Sequence, residues 1–95
     1  MHAFKMEILQ SDKFKKQFRK APKSVKIAVH NRILLFEKHS YHPLLHNHPL
    51  VGVYAGFRSI NITGDWRAVY RESKDSFGNT IVTFIALGTH SQLYR

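Results

Sequence analysis

Ninety-five residues allow one domain with a single modest core and leave no room for a second, so residues 1–95 are read as one unit. The chain has no cysteine, which excludes a disulfide framework and a thiolate metal site and fits a reducing compartment. Lysine and arginine number 15 against 6 acidic residues, for a net charge of +9. That surplus implies a polyanionic partner, because each neutralised phosphate releases counterions and drives association without sequence readout; an acidic protein segment satisfies the same field.

The N-terminal run MHAFKMEILQ is too short in apolar residues for a secretory leader. No window approaches the roughly 18 apolar residues of a membrane span. The expectation is a soluble, cytoplasmic protein with no membrane partner.

In chain order, residues 5–9 (KMEIL) read as a first strand. Ser11 or Asp12 can cap a helix whose Phe14 and Phe18 lie four apart on one face, while Lys13, Lys15, Lys16, Arg19 and Lys20 occupy the rest. This is an amphipathic helix with a cationic outer surface, either a solvated face or a nucleic-acid-binding one. Pro22 suits the first turn of a second helix running to about Lys38, with Val25, Val29, Ile33 and Phe36 as its apolar stripe. Residues 39–50 (HSYHPLLHNHPL) lose periodicity and read as a loop holding four histidines and two prolines.

After Gly52 the pattern turns to strands. Residues 57–62 alternate, with Ile60 and Ile62 on one face and Ser59 and Asn61 on the other, and 63–65 supply a turn. Residues 66–72 form the next strand and 74–79 a second turn. Residues 80–87 (TIVTFIAL) are almost wholly apolar, as expected of a strand covered on both faces. The resulting class is α+β: a strand, a two-helix hairpin, then three antiparallel strands, all in one twisted sheet with both helices on one face. Phe84 and Ile85 are expected to point to opposite faces.

The residues that can carry chemistry cluster late in the chain. The loop histidines His39, His42, His46 and His48 raise a metal site, since imidazole is a common ligand, but no thiol and no fixed helical spacing supports one. No metal or other cofactor is expected. His48 is either a turn histidine stiffened by Pro49 or a group held against the sheet by the short connection that follows. Asp65, Trp66 and Arg67 open a strand on which Trp66 and Arg67 face opposite ways, and Trp66 alone would be an ordinary core aromatic. His90 and Tyr94, four apart beyond the last strand, can share one helical turn and face one spot. A small basic chain with these acid-base groups suggests a ribonuclease.

HPLVGVYAGFRSINITGDWRAVY (residues 48–70), followed by GTHSQLY (88–94), resembles the RelE/ParE superfamily of type II toxin-antitoxin toxins, and most closely the YafQ-type mRNA interferases. The motifs HPL-x-G, GDWR-x-x-Y and GTH-x-x-L-aromatic occur in the right order and spacing. The resemblance implies a RelE-like fold, an acidic antitoxin as partner, and endoribonuclease cleavage of mRNA on the 70S ribosome, in which the ribose 2′-hydroxyl attacks the adjacent phosphate and the 5′-oxygen leaves.

That chemistry needs a base, an acid and a cation but no metal. It implies His90 as general acid, His48 or Asp65 as general base, and Arg67, with Arg58, as phosphate clamp. Trp66 and Tyr94 become stacking or orienting groups, and the cations of the first helix face ribosomal RNA. Where YafQ-type toxins carry a further histidine, four residues before the aspartate, this chain has Asn61, which can bind a phosphate or base but cannot carry a proton. Two other readings share the fold: a ParE-like inhibitor of DNA gyrase, which has no need of the histidine pair, and a non-catalytic nucleic-acid-binding relative.

Overall fold

The computed structural model describes residues 5–94. Residues 1–4, part of the stretch judged too short for a leader, lie outside them, as does residue 95. The elements are β1 (Met6–Gln10), α1 (Asp12–Lys20), α2 (Lys23–Lys38), β2 (His48–Pro49), β3 (Arg58–Asn61), β4 (Trp66–Lys74), β5 (Thr80–Thr89) and α3 (His90–Leu93). They form one five-stranded sheet in the order β1-β5-β4-β3-β2. β1 pairs parallel with β5, and the other neighbours are antiparallel. The α+β class and the order strand, helical hairpin, three strands match the sequence reading. Two differences stand out: the histidine loop contains the two-residue β2, making a fifth strand, and β5 runs on to Thr89 before α3.

Ser11, not Asp12, caps α1: its Oγ accepts from the Phe14 amide at 3.1 Å, and Asp12 stands in the first turn, where the helix dipole favours an anion. Phe14 is wholly buried and packs 5.7 Å from the Phe84 ring. The five α1 cations named above are exposed. Pro22 is the N-cap of α2 and lies just outside its first turn. Val25, Val29 and Phe36 are buried, and Ile33 packs at the edge of the same cluster.

The sheet separates two apolar layers. On the helix side, Phe14, Phe36, Ile60, Ile62, Tyr70 and Phe84 belong to one cluster. On the other side, Val69, Ala86 and Leu93 are buried, with Leu50, Tyr54, Phe57, Ile85 and Tyr94 packed against them. The opposition of Phe84 and Ile85 is therefore observed. A bulge accompanies it: Val69 pairs with Ala86 and Tyr70 with Phe84, so Ile85 has no partner in the ladder. Its carbonyl instead accepts the Ser11 hydroxyl at 3.1 Å.

Candidate functional site

The face of the sheet away from α1 and α2 carries a cleft of about 630 Å³, lined among others by His46, His48, Asn61, Arg67, His90 and Tyr94. Its residues come from three places: the loop containing β2, the β3–β4 hairpin, and the C-terminal turn.

The loop is held by one amide. Asn47 Nδ2 donates to the Ser40 carbonyl at 2.9 Å and to the Tyr70 hydroxyl at 2.8 Å, and its Oδ1 accepts from Arg58 Nε at 2.8 Å. All these partners lie on the helix side, so the flanking residues in this extended stretch turn to the other face. His48 pairs with Ser59 of β3, and its Nδ1 lies 2.7 Å from the His46 carbonyl. A carbonyl can only accept, so Nδ1 carries the hydrogen and the neutral ring keeps its lone pair on Nε2. His46 takes a left-handed φ of 43°, a conformation in which histidine is among the more tolerated residues.

Arg67 is fixed by the turn before it. Its guanidinium donates to the carbonyls of Thr63 (2.9 Å), Trp66 (3.0 Å) and Gly64 (3.2 Å). Three of its five N–H donors are so engaged, leaving two for an anion. Asn61, opposite Arg67 in the β3–β4 ladder, keeps its Oδ1 shut from solvent with no donor, the one such buried side-chain atom among the described residues. An unmatched acceptor costs about 1–3 kcal/mol.

The C-terminal turn is built by a capping box: the Thr89 hydroxyl accepts from the Gln92 amide at 3.2 Å and Gln92 Oε1 from the Thr89 amide at 2.9 Å. His90 heads the turn, its backbone N–H donating to the Asp65 carbonyl at 3.0 Å. Tyr94 closes it, with its ring edge-on 4.9 Å from His90 and its hydroxyl donating to Ser59 Oγ at 2.9 Å.

The cleft thus unites His48, Asn61, Arg67, His90 and Tyr94, and leaves out three residues that the sequence reading placed with them. Arg58 lies on the helix side, bonded to Asn47 and 5.3 Å above the Tyr41 ring, so it cannot clamp a phosphate in the cleft from there. Trp66 also lies on the helix side, beside Gln17, Lys20, Leu87 and Gln92. Asp65 is exposed in the hairpin turn, outside the cleft lining, and its backbone carbonyl accepts from the His90 amide. The cations of α1 stand on the face opposite the cleft, since α1 packs on β5 from the helix side. Among the described residues no three histidine, aspartate or glutamate side chains are gathered as a metal site.

Asn47 and Ser59 escaped the sequence reading. Asn47 had a signal, an amide between two histidines in an otherwise aperiodic loop. Ser59 had only its alternation with Ile60. Tyr70, the phenol on Asn47, titrates above the ordinary tyrosine value because it is buried, although the Asn47 bond pulls the other way.

No curated protein sequence matches the chain significantly. Solved structures match its fold: the E. coli DinJ-YafQ toxin-antitoxin complex (TM-score 0.76, 21% identity, 97% of this chain and 100% of that one), YafQ from E. coli strain BL21(DE3) (0.72, 20%, 96% and 100%), and a YoeB/ParE toxin from Agrobacterium tumefaciens (0.72, 20%, 90% and 99%). Residues 6–95 match the family model described as the bacterial toxin of a type II toxin-antitoxin system, YafQ. With nearly its whole length inside that match, and with the motif resemblance pointing the same way, the chain belongs to the YafQ family of type II toxins.

Proposed function

We propose that this toxin is an endoribonuclease that cuts mRNA on the ribosome by acid-base catalysis. One observation carries the proposal: His48, Arg67, His90 and Tyr94, from three separate segments, face a single cleft. His48 Nε2, the nitrogen with the lone pair, takes the proton of the ribose 2′-hydroxyl as its oxygen attacks phosphorus. His90 in its protonated form gives a proton to the departing 5′-oxygen. The products are a 2′,3′-cyclic phosphate and a 5′-hydroxyl end. The two remaining N–H donors of Arg67 meet the charge that grows on the phosphoryl oxygens, and Tyr94 sets the position of His90.

Between the two candidate bases, placement favours His48, because the Asp65 side chain stands outside the cleft. The lysine-bearing face of α1 supports contact with ribosomal RNA or with an acidic antitoxin, which the net charge of +9 favours. The structure matched above as a toxin with its antitoxin supports the same kind of partner here. Both readings place the protein in the cytoplasm.

The test is primer-extension mapping of mRNA after induction, with end-group analysis of the fragments. Discrete cuts bearing cyclic phosphate ends are expected. Intact mRNA with DNA gyrase arrested would favour the ParE-like reading instead.

A further inference from the structure

One wall of the cleft takes no part in this chemistry. Val51 and Val53 are 87% and 93% exposed, the two most exposed large apolar side chains among the described residues, and both line the cleft that holds His48 and His90. Their loop is well tied. The Leu50 amide donates to the Phe57 carbonyl, Ala55 to Gly52 and Phe57 to Tyr54, at 2.9–3.0 Å. Gly52 and Gly56 supply the left-handed φ values, 69° and 90°, that so tight a path requires. Beside the valines Tyr54 also lines the cleft, packed edge-on against Phe57 at 6.2 Å and Tyr94 at 6.1 Å.

Valine has few rotamers, so this anchored loop holds two apolar groups and an aromatic ring at a defined place in the cleft that Arg67 and the histidines also line. Folding gains nothing from apolar groups left in water. An occupant that matches this lining carries both an apolar face and an anionic group, which describes a nucleotide. A purely acidic peptide would leave the valines uncovered.

We propose that Val51, Val53 and Tyr54 form a nucleobase subsite, which grips the base of a nucleotide adjoining the scissile phosphate by apolar contact. The inference rests on the endoribonuclease reading. The valines carry no donor or acceptor, so the hold that they supply does not read the hydrogen-bonding edge of the base. Cleavage should therefore vary little with the identity of that base, and strongly with its presence.

The experiment is single-turnover cleavage of a synthetic mRNA bound to ribosomes, carrying either an ordinary or an abasic nucleotide on each side of the cut. The variant combines Val51→Ser and Val53→Ser, exposed positions whose replacement leaves folding intact; an unchanged melting temperature checks this. The toxin concentration for half-maximal rate is expected to rise about tenfold, within the range of base-contact energies, with the saturated rate within about threefold of wild type. An abasic nucleotide on one side should impose the same loss on wild type, and combining the two should add nothing.

Equal behaviour of variant and wild type on intact mRNA would overturn the subsite alone. So would losses that multiply, or a variant that cuts normally but escapes a purified antitoxin, which would assign the valines to a protein partner. Wild-type toxin that leaves ribosome-bound mRNA uncut would overturn the nuclease reading and the subsite with it.

Discussion

Tyr94, at the end of the C-terminal turn, donates its hydroxyl hydrogen to Ser59 in β3, 35 residues earlier and wholly buried. This bond ties the turn that carries His90 to the strand that pairs with His48. Removing one partner leaves the other unmatched, so Tyr94→Phe and Ser59→Ala should each destabilise by about 1 kcal/mol. For a domain of this size that lowers the melting temperature by roughly 4–8 °C. A double-mutant cycle should return a coupling of about 1 kcal/mol; additive losses would show that the bond contributes nothing.

Asn47 carries more of the structure. Asn47→Ala strips partners from Arg58, Tyr70 and the Ser40 carbonyl at once, and a loss of about 2 kcal/mol is expected from that half-buried network. It also frees the loop that sets the His48 tautomer. Nitrogen chemical shifts of the His48 ring should move from a defined Nδ1–H form to a tautomer mixture in the variant. Unchanged shifts would separate Asn47 from His48.

Burial raises the Tyr70 pKa, so the folded state holds the phenolic proton more tightly than the unfolded chain does. Its contribution is therefore fully present below the unfolded value near 10 and is lost as pH rises through the folded value. Stability measured by denaturant should fall above about pH 10, and Tyr70→Phe should flatten that alkaline limb while lowering stability near neutrality. An alkaline limb identical in the variant would assign it to other groups.

His90→Gln keeps hydrogen-bonding capacity but cannot supply a proton to the leaving oxygen. A positioned acid contributes about 10²–10⁴ in rate. The variant should lose that factor in single-turnover cleavage of ribosome-bound mRNA, and with it growth arrest, while melting like wild type. A rate within about threefold of wild type would remove His90 from the chemistry.

Asn61 sets stability against function. Its buried, unmatched Oδ1 suggests that Asn61→Leu gains about 1 kcal/mol in folding while cleavage falls. Asn61→His restores the histidine of YafQ-type toxins and should be tolerated, with activity equal to or above wild type. A less stable leucine variant would show that the amide is better satisfied than its geometry indicates.

Much of this was legible in the residues. A cap at Ser11 or Asp12, the Phe14 stripe, the alternation of Ile60 and Ile62 and the apolar run of β5 follow from local rules, and they produced the fold. The gathering of His48, Arg67, His90 and Tyr94 was implied by the family resemblance; the residues themselves pointed only to His90 and Tyr94 facing one spot. β2 was hidden because His48 and Pro49 are a strand only by virtue of pairing with Ser59 and Arg58 across the loop, and two residues have no periodicity. The placement of Arg58 was readable but missed: it is two residues from Ile60, so strand parity puts it on the helix side. Trp66 shares parity with buried Ala68, and its place on the helix side agrees with its reading as a core aromatic rather than with the stacking role that the resemblance implied.

The bulge at Ile85 makes the C-terminal third of the chain sensitive to length. Because Ile85 occupies β5 without a partner in β4, Leu87 turns to the helices while Leu93 and Tyr94 close over the opposite layer. Deleting one residue from the strand after this point would shift the phase and send His90 and Tyr94 toward the helices, with the cleft losing both. Substitutions in this stretch can be graded in effect, whereas a one-residue insertion or deletion acts as a switch. Variation among working descendants of this chain should therefore accumulate here as replacements and almost never as gaps.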